Sequence, residues 1–99
     1  MNTTISAEEA RQRLTTLAGW ELSGSAITRQ FTFRDFAEAV SFVVRLGFAA
    51  EAADHHPDIL INYKRVTLTY STHSAGGLTE KDFAAAEGAT ALAATLVRS

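Results

Sequence analysis

His55, His56 and His73 are the only histidines in this chain, and all three fall in one run from Glu51 to Asp82. The same run holds the single proline, Pro57, together with Asp54, Tyr63 and the polar stretch Ser71-Thr72-His73-Ser74. Imidazole moves protons readily near neutral pH, so a chain that gathers all of its histidines here has the material for a proton-transfer site. A zinc site built from His55 or His56, His73 and a carboxylate is the competing chemistry. Neighbours on extended chain point in opposite directions, however, and no His-x-x-x-His helix pair is present. Each residue also has a plainer use. One histidine can cap a helix end while the other is solvated, and Glu51 and Asp54 can lie on that solvated end. Asp82 can complete a helix cap after Thr79, or it can orient a histidine and fix which ring nitrogen carries the proton.

Other chemistries are thinly represented. There are no cysteines, which excludes thiolate zinc sites, disulfides and cysteine nucleophiles within the chain. Gly76-Gly77 lacks the lysine and spacing of a phosphate loop and the third glycine of a dinucleotide turn. Ser71 and Ser74 lie close to His73, but no Gly-x-Ser-x-Gly elbow marks either as a nucleophile.

The elements that must position these residues can be read from caps and periodicity. Ser6 and Glu9 form a capping-box pattern ahead of a helix from about Ala7 to Ala18, stopped by Gly19. Trp20–Leu22 and Ile27–Phe33 read as a hairpin around Ser23-Gly24-Ser25. Its second strand alternates Ile27, Phe31 and Phe33 with Thr28, Gln30 and Thr32, and Arg29 interrupts the apolar side. Asp35 and Glu38 cap a second helix, Phe36 to about Ala53, whose apolar arc is wider than one sheet face covers. His55-His56-Pro57 ends it. Ile59–Ile61 and Val66–Ser71 form a second hairpin through Tyr63-Lys64-Arg65. Thr79 and Asp82 then frame an alanine-rich helix from Glu80 to Val97.

The order α-β-β-α-β-β-α predicts an α+β two-layer sandwich: a four-stranded antiparallel sheet with helices on one face, in a single domain spanning residues 1–99. His55 and His56 precede the third strand and His73 follows the fourth. In an antiparallel hairpin those two ends are neighbours, so all three imidazoles are expected to line one hollow at one end of the sheet.

The bulk properties are those of an ordinary globular chain, 46% hydrophobic and 20% charged. A net charge of −2 gives no footprint for nucleic acid or anionic membrane. The polar N-terminus lacks an apolar signal core, and no stretch reaches the roughly 20 apolar residues of a membrane span. A soluble, cytoplasmic protein is expected.

The pattern Glu51-x-x-x-His55-His56-Pro57, then Tyr63, then His73 and Asp82, with the flanking run Ser71 to Thr79, resembles the signature of the pterin-4a-carbinolamine dehydratases. The resemblance implies a lyase without metal or other cofactor that dehydrates a 4a-hydroxytetrahydropterin to the quinonoid dihydropterin and water, in recycling of tetrahydropterin. It implies His55, His56, His73 and Asp82 as the catalytic set. His55 and His73 are candidates for the acid, His56 for a base or a pterin-binding group, and Asp82 for orienting a histidine. Asp54, Pro57, Ser71, Thr72 and Ser74 are implied as substrate-binding residues. The family fold has two strand–strand–helix units, and members form dimers or tetramers by joining sheets edge to edge and packing helices. A homodimer or homotetramer would account for the wide apolar arc from Phe36 to Ala53. Animal members carry tryptophan where this chain has Ile59, which replaces a flat ring with an aliphatic side chain. The alternative within the same fold is a non-catalytic pterin-binding or coactivator-like interaction module.

Overall fold

A computed structural model describes residues 3–96. The elements are α1 (Ala7–Leu14), β1 (Glu21–Ser23), β2 (Ala26–Thr32), α2 (Phe36–Ala53), β3 (Asp58–Asn62), β4 (Arg65–Tyr70), a short 3-10 turn (His73–Ala75) and α3 (Glu80–Leu96). This is the expected α-β-β-α-β-β-α order. The four strands form one antiparallel sheet in the order β1-β2-β4-β3, so the two hairpins join through β2 and β4. Ile27 pairs with Tyr70 across that junction, and Asp58 pairs with Thr69 across the second hairpin.

Alternation sorts β4 into two faces. Val66, Leu68 and Tyr70 are buried against the helices, while Thr67 and Thr69 are only half-buried on the other side. Ile27, Phe31, Phe33, Phe42, Leu46, Phe83, Ala86 and Ala89 join them in the core. Each fully buried large apolar side chain contributes about 1.5–3 kcal/mol relative to exposure. Arg29, which breaks the apolar alternation of β2, lays its guanidinium over the Phe31 ring 4.3 Å from the centroid and donates to the Ala18 carbonyl. Gly19 makes that reach possible. Its φ is +89°, and a Cβ there would lie 2.7 Å from Arg29 Nε.

The helix boundaries follow their caps. Ser6 Oγ accepts the Glu9 N–H, and Asp35 Oδ1 accepts the Glu38 N–H. Glu38 turns back to accept the Arg34 backbone N–H and its guanidinium, and these bonds hold its carboxyl below the usual carboxylate range. The first helix ends at Leu14, short of the expected Ala18. Thr15 and Thr16 fold their hydroxyls back onto the Gln12 and Arg13 carbonyls, and the chain tightens into a turn. The final residue expected in the third helix, Val97, lies outside the described residues. Among the described residues no helix is long and apolar enough to cross a membrane.

Candidate functional site

The end of α2 sets the directions of His55 and His56. Asp54 caps the helix in the left-handed conformation, φ 51° and ψ 43°, a region that Asp tolerates better than most residues. Its N–H bonds back to Glu51, and the His55 N–H reaches the Ala50 carbonyl at 3.1 Å. The chain then runs extended into β3. His55 consequently faces the helix side of the sheet and His56 the open side.

His55 is nearly enclosed, its side chain 10% exposed. Its ring lies 6.0 Å from that of Tyr70, at an interplanar angle of 11°. Its Nε2 is 2.6 Å from Asp82 Oδ1. Asp82 is fully buried at the start of α3, and its other oxygen, Oδ2, accepts the Thr72 hydroxyl at 2.8 Å and the Thr79 N–H at 2.9 Å. Because Thr72 gives its one hydroxyl proton to Asp82, the 2.8 Å contact between Thr72 and Thr79 is a donation from Thr79. An ionised Asp82 only accepts, so His55 Nε2 carries the donated hydrogen and Nδ1 is the ring nitrogen left free. Burial, and after it the charge of Asp82, pushes the Tyr70 phenol up to about 12. Among the described residues no buried side-chain nitrogen or oxygen lacks a hydrogen-bond partner.

The open side is built differently. His56 and His73 line a hollow of about 270 Å³ together with Asp58, Thr69, Ser71, Ser25, Ala26 and the Gly76-Gly77 backbone. His56 is half exposed, and its Nε2 contacts Glu51 in the last turn of α2. The loop that carries His73 is pinned by paired backbone bonds between Thr72 and Gly77, at 3.0 and 3.3 Å. Gly76 closes its 3-10 turn at φ 77°, where a residue with a side chain would be strained. Ser71 donates to the Ser25 carbonyl and so ties the hollow to the first hairpin.

The expectation of one hollow for three imidazoles is therefore corrected. His56 and His73 share the open-face hollow, whereas His55 lines a separate groove of about 600 Å³ between α2 and α3, with Tyr70, Lys81, Ala85 and Leu92. The physical reason is the two-residue alternation of extended chain, which places neighbours on opposite faces. Of the expected substrate-binding residues, Ser71 lines the open-face hollow; Asp54, Pro57, Thr72 and Ser74 do not. Asp54 is exposed at the helix cap, Pro57 is half-buried in the turn, and Ser74 is exposed on the 3-10 turn. Thr72 is buried, its hydroxyl committed to Asp82. Asp58, Thr69, Ser25 and Ala26 were not anticipated. Asp58 stands two residues after His56, and that parity was a signal for it. Ser25 and Ala26 become neighbours only through the β2–β4 pairing. Tyr70 was expected within the fourth strand and not as the partner of His55. Among the described residues no group of three or more His, Cys, Asp or Glu is placed to hold a metal ion.

Comparison with known proteins agrees with this architecture. The family described as pterin 4 alpha carbinolamine dehydratase matches residues 3–92. A relative from Roseiflexus sp. (strain RS-1), provisionally named pterin-4-alpha-carbinolamine dehydratase, is 49% identical over 84% of this chain and 89% of its own length. A crystal structure of a transcriptional coactivator/pterin dehydratase from Brucella melitensis superposes with a TM-score of 0.87 at 39% identity, covering 92% of this chain and 99% of that one. A pterin dehydratase-like RuBisCO assembly factor of the alpha-carboxysome shares the fold, with a TM-score of 0.62 at 24% identity over 75% of this chain and 86% of that one. By the extent of these matches, the chain belongs to the pterin-4a-carbinolamine dehydratase family.

Proposed function

We propose that this chain dehydrates a 4a-hydroxytetrahydropterin to the quinonoid dihydropterin and water. The observation that carries this reading is the open-face hollow in which His56 and His73 stand together. The reaction breaks the bond from C4a to its hydroxyl oxygen and removes a proton from the adjacent ring nitrogen. An acid must protonate the departing oxygen, and a base must take the nitrogen proton; together these release one water. Two imidazoles in one hollow can supply both transfers near neutral pH, each contributing about 10²–10⁴-fold. Glu51 holds the outer nitrogen of His56. His55, on the other side of the sheet, acts by holding the turn that carries His56, its own ring fixed by Asp82. A volume near the lower end for ligand pockets suits a flat two-ring heterocycle.

Purified protein should speed the decay of a chemically generated 4a-hydroxytetrahydropterin in a stopped-flow assay. A His56→Ala protein with undiminished turnover would remove the main support for the reading.

The reading extends to assembly as a homodimer or homotetramer. Phe48 and Val44 on α2 are 75% and 53% exposed, apolar side chains that a second subunit would cover. The same surface favours a second reading, an interaction module, since the Brucella melitensis relative is named as a coactivator as well as a dehydratase. Pterin binding without turnover would select that reading.

A further inference from the structure

Among the described residues, Asp58 is the one carboxylate lining the open-face hollow. It is the first residue of β3, opposite Thr69, and the pairing turns both side chains to the open face. Of the other carboxylates at this end of the sheet, Asp82 is committed to His55, Thr72 and Thr79, Glu51 is committed to His56, and Asp54 lies outside the hollow. Asp58 is exposed and takes no part in the side-chain hydrogen bonds or ion pairs among the described residues. Two hydroxyls of the hollow are also engaged, Ser71 with the Ser25 carbonyl and Thr69 with Thr28 at 3.3 Å. Among the described residues that line the hollow, Asp58 alone offers two uncommitted acceptor oxygens side by side.

We propose that Asp58 reads the amino edge of the heterocycle and sets the substrate specificity of the hollow. The 2-amino group and the neighbouring ring N–H of a pterin are parallel donors, spaced like those of a guanidinium, and a carboxylate accepts both at once. Residues i and i+2 of an extended chain share a face about 7 Å apart, a separation that a fused two-ring heterocycle spans. With its amino edge on Asp58, such a ring extends towards His56, and the saturated half lies where protons must move. A related heterocycle with a 2-oxo group in place of the amine would set an acceptor against an acceptor and be refused. This inference rests on the pterin reading and deepens it.

The test uses the full chain, its Asp58→Asn and Asp58→Glu variants, and two probes: 6-methyl-7,8-dihydropterin and the matching 2-oxo compound, 6-methyl-7,8-dihydrolumazine. Calorimetric titration should show that the wild type prefers the amino compound. Asp58→Asn should bind it about 10–100-fold more weakly, as expected for the loss of a charge-assisted pair, and should lose most of the preference. Asp58→Glu should retain part of both. In turnover, Asp58→Asn should raise KM far more than it lowers kcat. Unchanged affinity and preference in Asp58→Asn would overturn the role of Asp58 while leaving the pterin reading intact. A wild type that binds neither compound would remove both.

Discussion

The two sides of the sheet treat histidine in opposite ways. On the helix side, His55 is enclosed, aligned with Tyr70 and bonded to a buried Asp82 whose oxygens are both occupied. On the open side, His56 and His73 stand at a solvent-facing hollow, and among the described residues the one side-chain hydrogen bond made by either ring joins His56 to Glu51. A buried polar network costs stability when it is left half-satisfied and fixes one geometry when complete. The helix-side imidazole thus locks the turn from which the open-side imidazole projects. A group that exchanges protons with a substrate needs access instead, and the open side supplies it.

The largest effect that would sharpen this contrast is on turnover. His56→Ala and His73→Ala should each lower kcat/KM by about 10²–10⁴-fold, because each removes a positioned proton-transfer group. Their melting temperatures should stay near that of the wild type, since both side chains lie at an accessible surface. A matched loss of melting temperature would erase the distinction between the two sides.

Asp82→Asn should show the reverse emphasis. It disturbs three donations to a fully buried carboxylate, at a cost of about 1–3 kcal/mol. For a chain of this size each kcal/mol lowers the melting temperature by roughly 4–8 °C. Thermal unfolding followed by circular dichroism measures it, and an unchanged midpoint would mean that the network does not hold the turn.

Tyr70 gives a pH test of the enclosed side. Its phenol ionises at about 12 in the folded chain, raised by burial and then by Asp82. The folded state therefore keeps a proton that the unfolded state gives up near pH 10. The resulting stability is fully present below pH 10 and is lost as the pH rises towards 12. Denaturant unfolding across that window should show the decline, and Tyr70→Phe should flatten it. The smallest effect belongs to Glu51→Gln. Its contact with His56 is exposed, and such pairs contribute little, so kcat/KM should fall by no more than about 5-fold.

Much of this was legible from residue patterns. The caps at Ser6 and Asp35, the alternation of β2 and β4 and the proline after His56 define the element order. The pairing of strand ends brings His56 and His73 together, as expected. Parity was read between His55 and His56 but not carried through to the hollow. Counting alternate residues outward from the buried Tyr70 places Thr72 inside and both Ser71 and His73 outside. The same rule at the helix exit separates His55 from His56. Proximity along the strands concealed this, because strand ends can adjoin while their side chains face opposite ways. The contribution of Ser25 and Ala26 depends on β2 lying beside β4, a pairing between distant segments that no local pattern specifies.

The most direct check is a nuclear magnetic resonance titration of the three imidazole side chains with 6-methyl-7,8-dihydropterin. The signals of His56 and His73 should shift together and saturate at one ligand per chain. Shifts confined to the groove between α2 and α3, at Lys81, Ala85 and Leu92, with His56 and His73 unmoved, would place the ligand on the wrong side of the sheet and contradict the account.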